Sequence, residues 1–290
     1  MRALILRPLL TLVLVLLVLT ALKSWMYRFT ERPFSDAHQY STVLFGDSHG
    51  NDVPVRKVPR FNRPAQDLVS TWMRMRELRD TRGTDSEVEV VILTIWPMKF
   101  SPVAEGRLSG RHRGHGWIQS EMGKVGPLLQ LGDLFRSEWP WRLRWQMLLH
   151  SGQLESMRPL MGWVCRDGDL ADDYEAELSP PLMETEWFAE AEVSRWAMEA
   201  IVQLVEEAGW QLLLVEHPMH PSFIKKVDAR SLDQYERWMH AFAEAPHVHY
   251  LNMGRDSLPN SAFWDFHHLS CEGMEYVGER LQPALEALLD

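Results

Sequence analysis

Apolar residues fall along this chain in three patterns, and each predicts a different element. Residues 8–22 form an unbroken run without charge, apolar but for Thr11 and Thr20. Beyond residue 40, short runs rich in Val, Ile and Leu recur at 42–45, 58–61, 89–95, 211–215 and 247–252. Several lack polar alternation, as expected of strands covered by helices on both faces. Apolar positions with helical spacing cover 65–79, 186–208, 231–245 and 271–289, the last preceded by Ser270 as a candidate N-cap. Short strands alternating with amphipathic helices predict an α/β domain over residues 40–290, built on a mainly parallel sheet.

The rhythm breaks between about 100 and 184, a connection far longer than one crossover needs, and this stretch reads as a helical insertion. It carries the glycine-rich "EGRLSGRHRGHG" and the Trp-rich "SEWPWRLRWQMLLH". Trp139, Trp141 and Trp145, with Arg142 and Arg144, suit either a sugar-stacking or membrane-surface face or the packing of an insertion helix onto the domain; packing is the simpler reading. His112 and His115 lack cysteine or carboxylate support and read as solvated loop rather than metal ligands.

Arg2 and Arg7 precede the run at 8–22. As a helix that run spans about 22 Å, and starting from Ala3 with Arg7 snorkelling brings it to about 30 Å, the thickness of a hydrocarbon core. A signal peptide also fits, but small residues suited to cleavage are not evident where the run exits, so residues 1–25 read as an uncleaved anchor and 26–39 as a linker. Arg2 and Arg7 on one side match Lys23, Arg28 and Arg32 on the other, so the positive-inside count sets no orientation. Long domains translocate largely regardless of charge, which places the domain outside the cytoplasm, in the periplasm where there are two membranes. Cys165 and Cys271 permit one disulfide there and equally fit two inert buried thiols. The net charge of −10 argues against nucleic acid as a partner, because phosphate neutralisation needs clustered Lys and Arg.

The first strand runs straight into a cluster with chemistry, "YSTVLFGDSHGNDV". Gly46 to Gly50 looks like the opening motif of calcineurin-like phosphoesterases, whose Asp and His bind metals. The ligands a two-metal site requires are missing downstream: the nearest Gly-Asp segment starts at Gly132 and has Arg136 where an aspartate belongs, and no Gly-Asn-His occurs. No metal and no cofactor are expected on this reading. A serine nucleophile at Ser48 needs a general base and an acid to orient it, and both occur near the C-terminus in "SAFWDFHHLSCEGMEYVGERL". Asp265 and His268 stand three apart before the last helix, a spacing that lets the carboxylate hold one imidazole nitrogen while the other faces the serine. His267 is the competing histidine.

Gly-Asp-Ser after the first strand, with Asp-x-x-His and Leu-Ser before a terminal helix, resembles the SGNH or GDSL-like hydrolase superfamily over residues 42–290. The resemblance implies a flavodoxin-like three-layer fold with a parallel central sheet, and a site at the C-terminal ends of its strands. It also implies Ser48 as nucleophile, His268 as base and Asp265 as its orienting acid. The superfamily's oxyanion donors are the nucleophile's N–H, a glycine N–H after strand two and an asparagine after strand three. Here Ser48 supplies the first, Pro64 or Ala65 stands at the glycine, and Trp96, Pro97, Met98 or Lys99 replaces the asparagine, leaving Ala65, Asn62 and Asn51 as substitute donors. His49, Trp96, His217 and His220 are substrate-contact candidates, with turn or packing roles as the plain alternatives. Asp47 reads as shaping the turn through its hydrogen bonds.

Those departures and the N-terminal anchor look like the envelope branch of the superfamily, similar to proteins that transfer D-alanine onto teichoic acids or acetyl groups onto exported polysaccharides. That branch implies an acyl-enzyme at Ser48, an acyl donor, a glycan acceptor and a membrane-bound O-acyltransferase as partner. A non-catalytic protein that keeps the fold to bind or assemble polysaccharide is the first alternative, and a calcineurin-like metallophosphoesterase the second.

Overall fold

The computed structural model describes residues 34–63, 66–82, 86–108, 130–141, 143–144, 165–168, 170–171, 173–176 and 191–290, with a few isolated positions between 10 and 21. Five strands, β1 (Thr42–Gly46), β2 (Arg60–Asn62), β3 (Val90–Thr94), β4 (Gln211–Glu216) and β5 (Val248–Asn252), pair in the order β2-β1-β3-β4-β5. Every pairing is parallel. This is the flavodoxin-like doubly wound order, which reverses between β1 and β3 and opens a crevice at the strand ends there.

The helices are α1 (Leu68–Asp80), α2 (Pro102–Leu108), α3 (Glu192–Ala208), α4 (Pro221–Lys226), α5 (Ala229–Phe242) and α6 (Cys271–Leu289). Alternate strand residues feed two separate cores. Val43, Phe45, Val91, Leu93, Leu212 and Leu214 pack with α1, α3 and α5 through residues such as Trp72, Ile201 and Met239. Leu44, Val90, Ile92, Leu213 and Val215 pack with α6 through Met274, Val277 and Leu281. Burial on both faces is why these strands carry no polar alternation.

Several boundaries differ from the sequence reading, each for a local reason. The second strand starts at Arg60 rather than at 58, just after Pro59, whose carbonyl accepts from Leu44 N at 2.9 Å although its own nitrogen has no proton to give. Helix α1 begins at Leu68, three residues later than expected, because the Asp67 carboxylate caps it by accepting from Ser70 N at 2.8 Å. Helix α5 begins at Ala229 behind the cap Asp228 and ends at Phe242, three residues short of expectation. The short α4, unanticipated in a loop that carries Pro218 and Pro221, has Pro221 in its first turn. Helix α3 ends at Gly209, whose φ of 69° is the left-handed conformation glycine accepts freely. Helix α6 has the expected limits, and Ser270 is its N-cap.

Most of residues 1–25 and most of the insertion at 100–184 lie outside the described residues, as do His112, His115, Arg142 and Trp145. No helix among the described residues is long and apolar enough to cross a membrane. At the insertion's described edge, Trp139 is 1% exposed and meets Trp72 and Trp196 edge-on, whereas Trp141 is 64% exposed. Trp139 thus packs the insertion onto the domain. Cys165 and Cys271 are disulfide-bonded across a sequence separation of 106. Closing so long a loop stabilises the fold by roughly 4–5 kcal/mol in the chain-entropy account.

Glu216, at the end of β4, is fully enclosed, accepts a hydrogen bond from Tyr250 Oη and lies so close to Gly254 that a Cβ there would fall 2.1 Å from Glu216 Oε1. Burial pushes its carboxyl from 4.5 up to about 8. Between those values the native state holds a proton that the unfolded chain releases, so its stabilising contribution is complete below 4.5 and is lost as pH rises through about 8. Thermal unfolding from pH 6 to pH 9 should therefore show wild type losing stability relative to Glu216→Gln, which stays neutral; parallel curves would show that Glu216 is ionised throughout.

Candidate active site

The first half of the site is built by the exit from β1. A Cβ on Gly46 would lie 2.0 Å from Thr94 Oγ1 on neighbouring β3, so only glycine lets the chain leave the sheet there. Asp47 then caps a 3-10 turn, Ser48–Asp52, accepting from His49 N at 3.1 Å. Beneath the turn, the buried guanidinium of Arg60 donates to the carbonyls of Gly50 (2.5 Å), Val53 (2.6 Å) and Val55 (2.8 Å). Burial pushes Arg60 down to about 10, which still leaves it cationic at neutral pH.

The second half is the loop before α6, closed by an antiparallel bridge between Phe263 and Leu269. Asp265 organises it: Oδ1 accepts from the backbone N–H groups of His267 (2.8 Å) and His268 (2.7 Å), and Oδ2 lies 2.7 Å from His268 Nδ1. His268 Nε2 is 2.8 Å from Ser48 Oγ. Leu269 N donates to Asp52 Oδ2 at 3.3 Å, tying this loop to the serine turn.

The electrostatics favour one proton arrangement. Burial works to raise the Asp265 carboxyl, but the hydrogen bond from His268 and the charges of His267 and His268 hold it below the usual carboxylate range. Burial works to lower His268, yet its bond to Asp265 and the charges of Asp52, Asp265 and Asp47 raise it above the ordinary value. An ionised Asp265 keeps a proton on His268 Nδ1, so Nε2 presents its lone pair to the Ser48 hydroxyl.

A second Asp–His pair stands beside the first. Asp47 Oδ1 lies 2.7 Å from His49 Nδ1, while Oδ2 accepts from Trp96 Nε1 and Lys99 Nζ, both at 3.0 Å. Burial opposes its charge, but Lys99 and His49 overcome that and hold Asp47 well below the usual range. His49, 1% exposed, is pushed well below its ordinary value by burial and turns Nε2 toward His267 Nδ1 at 3.2 Å. His267 and His217 are each driven down to about 4, chiefly by burial. His217 packs on the His49 ring at 4.2 Å between centroids and places Nε2 2.9 Å from the His267 carbonyl oxygen.

Of the residues singled out in the sequence, Ser48, Asp265 and His268 meet directly, and His49, Trp96 and His217 gather around them. His220 is held elsewhere, between Ser222 Oγ at 2.8 Å and Asn260 Oδ1 at 3.0 Å. Asn62 turns its amide to Asn51 Oδ1 at 2.8 Å. Pro64 and Ala65 lie outside the described residues. Sequence reasoning missed Arg60, Lys99 and Asp52 as organisers. The available signal was charge in an apolar context, an arginine in the run 58–61 and a lysine just after the third strand.

No protein-family model matches the chain. No curated protein matches it either. A solved structure described as a "putative acylhydrolase" from Bacteroides fragilis is similar to it over 86% of this chain and 88% of the other, at 11% sequence identity and a TM-score of 0.41.

Replacing Arg60 by methionine removes its bonds to the carbonyls of Gly50, Val53 and Val55, of which Val53 keeps a bond from Val55 N, and should cost about 3 kcal/mol in chemical denaturation. Arg60→Lys should recover only part, because an ammonium lacks the planar fork that reaches all three. Equal stability of the methionine variant and wild type would show that the turn holds itself.

Proposed function

We propose that this protein is a serine-dependent O-acyl esterase or acyltransferase of SGNH type, acting outside the cytoplasm on a cell-envelope glycan or a lipid-linked sugar. One observation carries the reading: Ser48 Oγ, the His268 imidazole and the Asp265 carboxylate form a continuous hydrogen-bonded line, at 2.8 and 2.7 Å. A hydroxyl so placed is activated by its neighbour, and the acid fixes that neighbour's tautomer.

In the proposed reaction His268 Nε2 takes the Ser48 proton as Oγ attacks the ester carbonyl of the donor. The backbone N–H of Ser48 is assigned to the developing oxyanion. Collapse expels the donor alcohol, which leaves with the proton from His268 and an acyl group on Ser48. Water or a sugar hydroxyl then gives its proton to His268 and takes the acyl group, and His268 returns the proton to the departing Ser48 Oγ. Asn62 joins the oxyanion donors only if its amide leaves Asn51.

Location outside the cytoplasm is supported by the Cys165–Cys271 disulfide, since such bonds persist in oxidising compartments, and by the basic-then-apolar start of the chain. A membrane-bound O-acyltransferase is the proposed source of acyl groups.

A fluorophosphonate probe should label the purified full chain once, at Ser48, and leave Ser48→Ala unlabelled. His268→Gln should slow labelling by about 10³-fold or more, as loss of the base does in other triads. Failure to label under conditions that label a known serine esterase, or labelling at another residue, would overturn the reading.

A further inference from the structure

We propose that His49, His267 and His268 together form a single-ion binding site for a divalent transition metal of the zinc class, and that this ion and the serine chemistry exclude each other. The metal site rests on the side-chain arrangement and stands whether or not Ser48 proves to be a nucleophile, whereas the exclusivity rests on the serine chemistry proposed above. Its distinguishing feature is that two independent carboxylate–imidazole pairs converge on one place.

One ligating nitrogen from each of the three histidines lies within 4.8 Å of the others, and His49 Nε2 and His267 Nδ1 are 3.2 Å apart. Tetrahedral coordination at about 2.05 Å places ligand atoms roughly 3.3 Å apart, so the first pair already has the required separation and the third nitrogen needs only a modest ring movement. Two of the three imidazoles are oriented as metal-binding histidines commonly are. Asp47 engages Nδ1 of His49, and Asp265 engages Nδ1 of His268, each at 2.7 Å, which leaves Nε2 as the free lone pair in both. Both carboxylates are themselves held, Asp47 by Trp96 and Lys99, Asp265 by the backbone of its own loop.

His267 completes the set from the solvent side, with its side chain 20% exposed. With His49 Nε2 bearing a lone pair, His267 Nδ1 donates a proton to it in the metal-free state. Entry of the ion requires that proton to move to His267 Nε2, after which Nδ1 ligates; no redox change or co-reactant is involved. Neutral imidazoles suit zinc, copper and nickel better than magnesium or calcium, and no carboxylate oxygen belongs to the group, so this is not a two-metal hydrolase centre.

The exclusivity follows from His268. Its Nε2 has one lone pair, engaged by the Ser48 hydroxyl at 2.8 Å in the metal-free protein. Coordination consumes that lone pair, so Ser48 loses its base for as long as the ion stays. The protein would then be held silent by a metal it does not use.

Zinc chloride titrated calorimetrically into the metal-stripped full chain at neutral pH should give one site per chain with micromolar or tighter affinity. Ser48→Ala should keep the site, because the serine is not a ligand. His267→Ala should weaken it by at least 10-fold to 100-fold, and Asp47→Asn by a similar factor through its hold on His49. His267→Ala, at a partly exposed loop position, is the variant least exposed to a folding failure, and its thermal melt should match wild type. Zinc should also block fluorophosphonate labelling of wild type, with EDTA restoring it. No binding at 100-fold excess over about 1 µM protein, or equal affinity in His267→Ala and wild type, would overturn the proposal. If labelling fails in every sample but calorimetry shows the histidine-dependent site, the serine reading fails and the metal site stands.

Discussion

Everything in this site depends on one contact between parts of the chain 220 residues apart, the approach of His268 Nε2 to Ser48 Oγ. Neither side chain reaches the other unless two loops at the same edge of the sheet are held to within a fraction of an ångström. The Ser48–Asp52 turn is pinned from below by Arg60 and from its own start by Asp47. The histidine loop is pinned by Asp265, by the Phe263–Leu269 bridge that closes it and by the disulfide at Cys271. The direct bond from Leu269 to Asp52 then fixes one loop against the other. Most of these constraints are buried polar contacts, which are costly to break because no water replaces the lost partner.

Much of the architecture was legible in the sequence because the physics behind it is periodic. Strands buried on both faces read as apolar runs, and α6 announced itself through its serine cap and helical spacing. What escaped depended on particular side chains rather than on pattern. Asp67 delays α1 by capping it late, and Pro59 shifts the second strand, effects of single residues on hydrogen bonding that a window of hydrophobicity averages away. The contact between Asp265 and His268 was readable from their spacing because both lie on one short loop. The role of Arg60 was not, since an arginine inside a strand pattern gives no indication of which carbonyls it will reach.

After the third strand stand Trp96 and Lys99, where the resemblance to SGNH hydrolases led to the expectation of an asparagine. Trp96 and Lys99 occupy that region and both serve Asp47, which in turn orients His49. These two side chains support a second Asp–His pair beside Ser48. Two oriented imidazoles then lie side by side, with His267 against both. The same feature, a lone pair aimed by a carboxylate, is found on His49 and His268, and it suits His268 to accept a proton from serine and suits both to the proposed ion site with His267.

The most direct test of the central contact is proton NMR of the imidazole N–H groups in selectively histidine-labelled full chain. The account predicts a strongly downfield His268 Nδ1–H resonance that vanishes in Asp265→Ala, persists in His49→Gln and shifts when Ser48 is removed. A spectrum with no resonance dependent on both Asp265 and His268, or one unmoved by loss of Ser48, would contradict it.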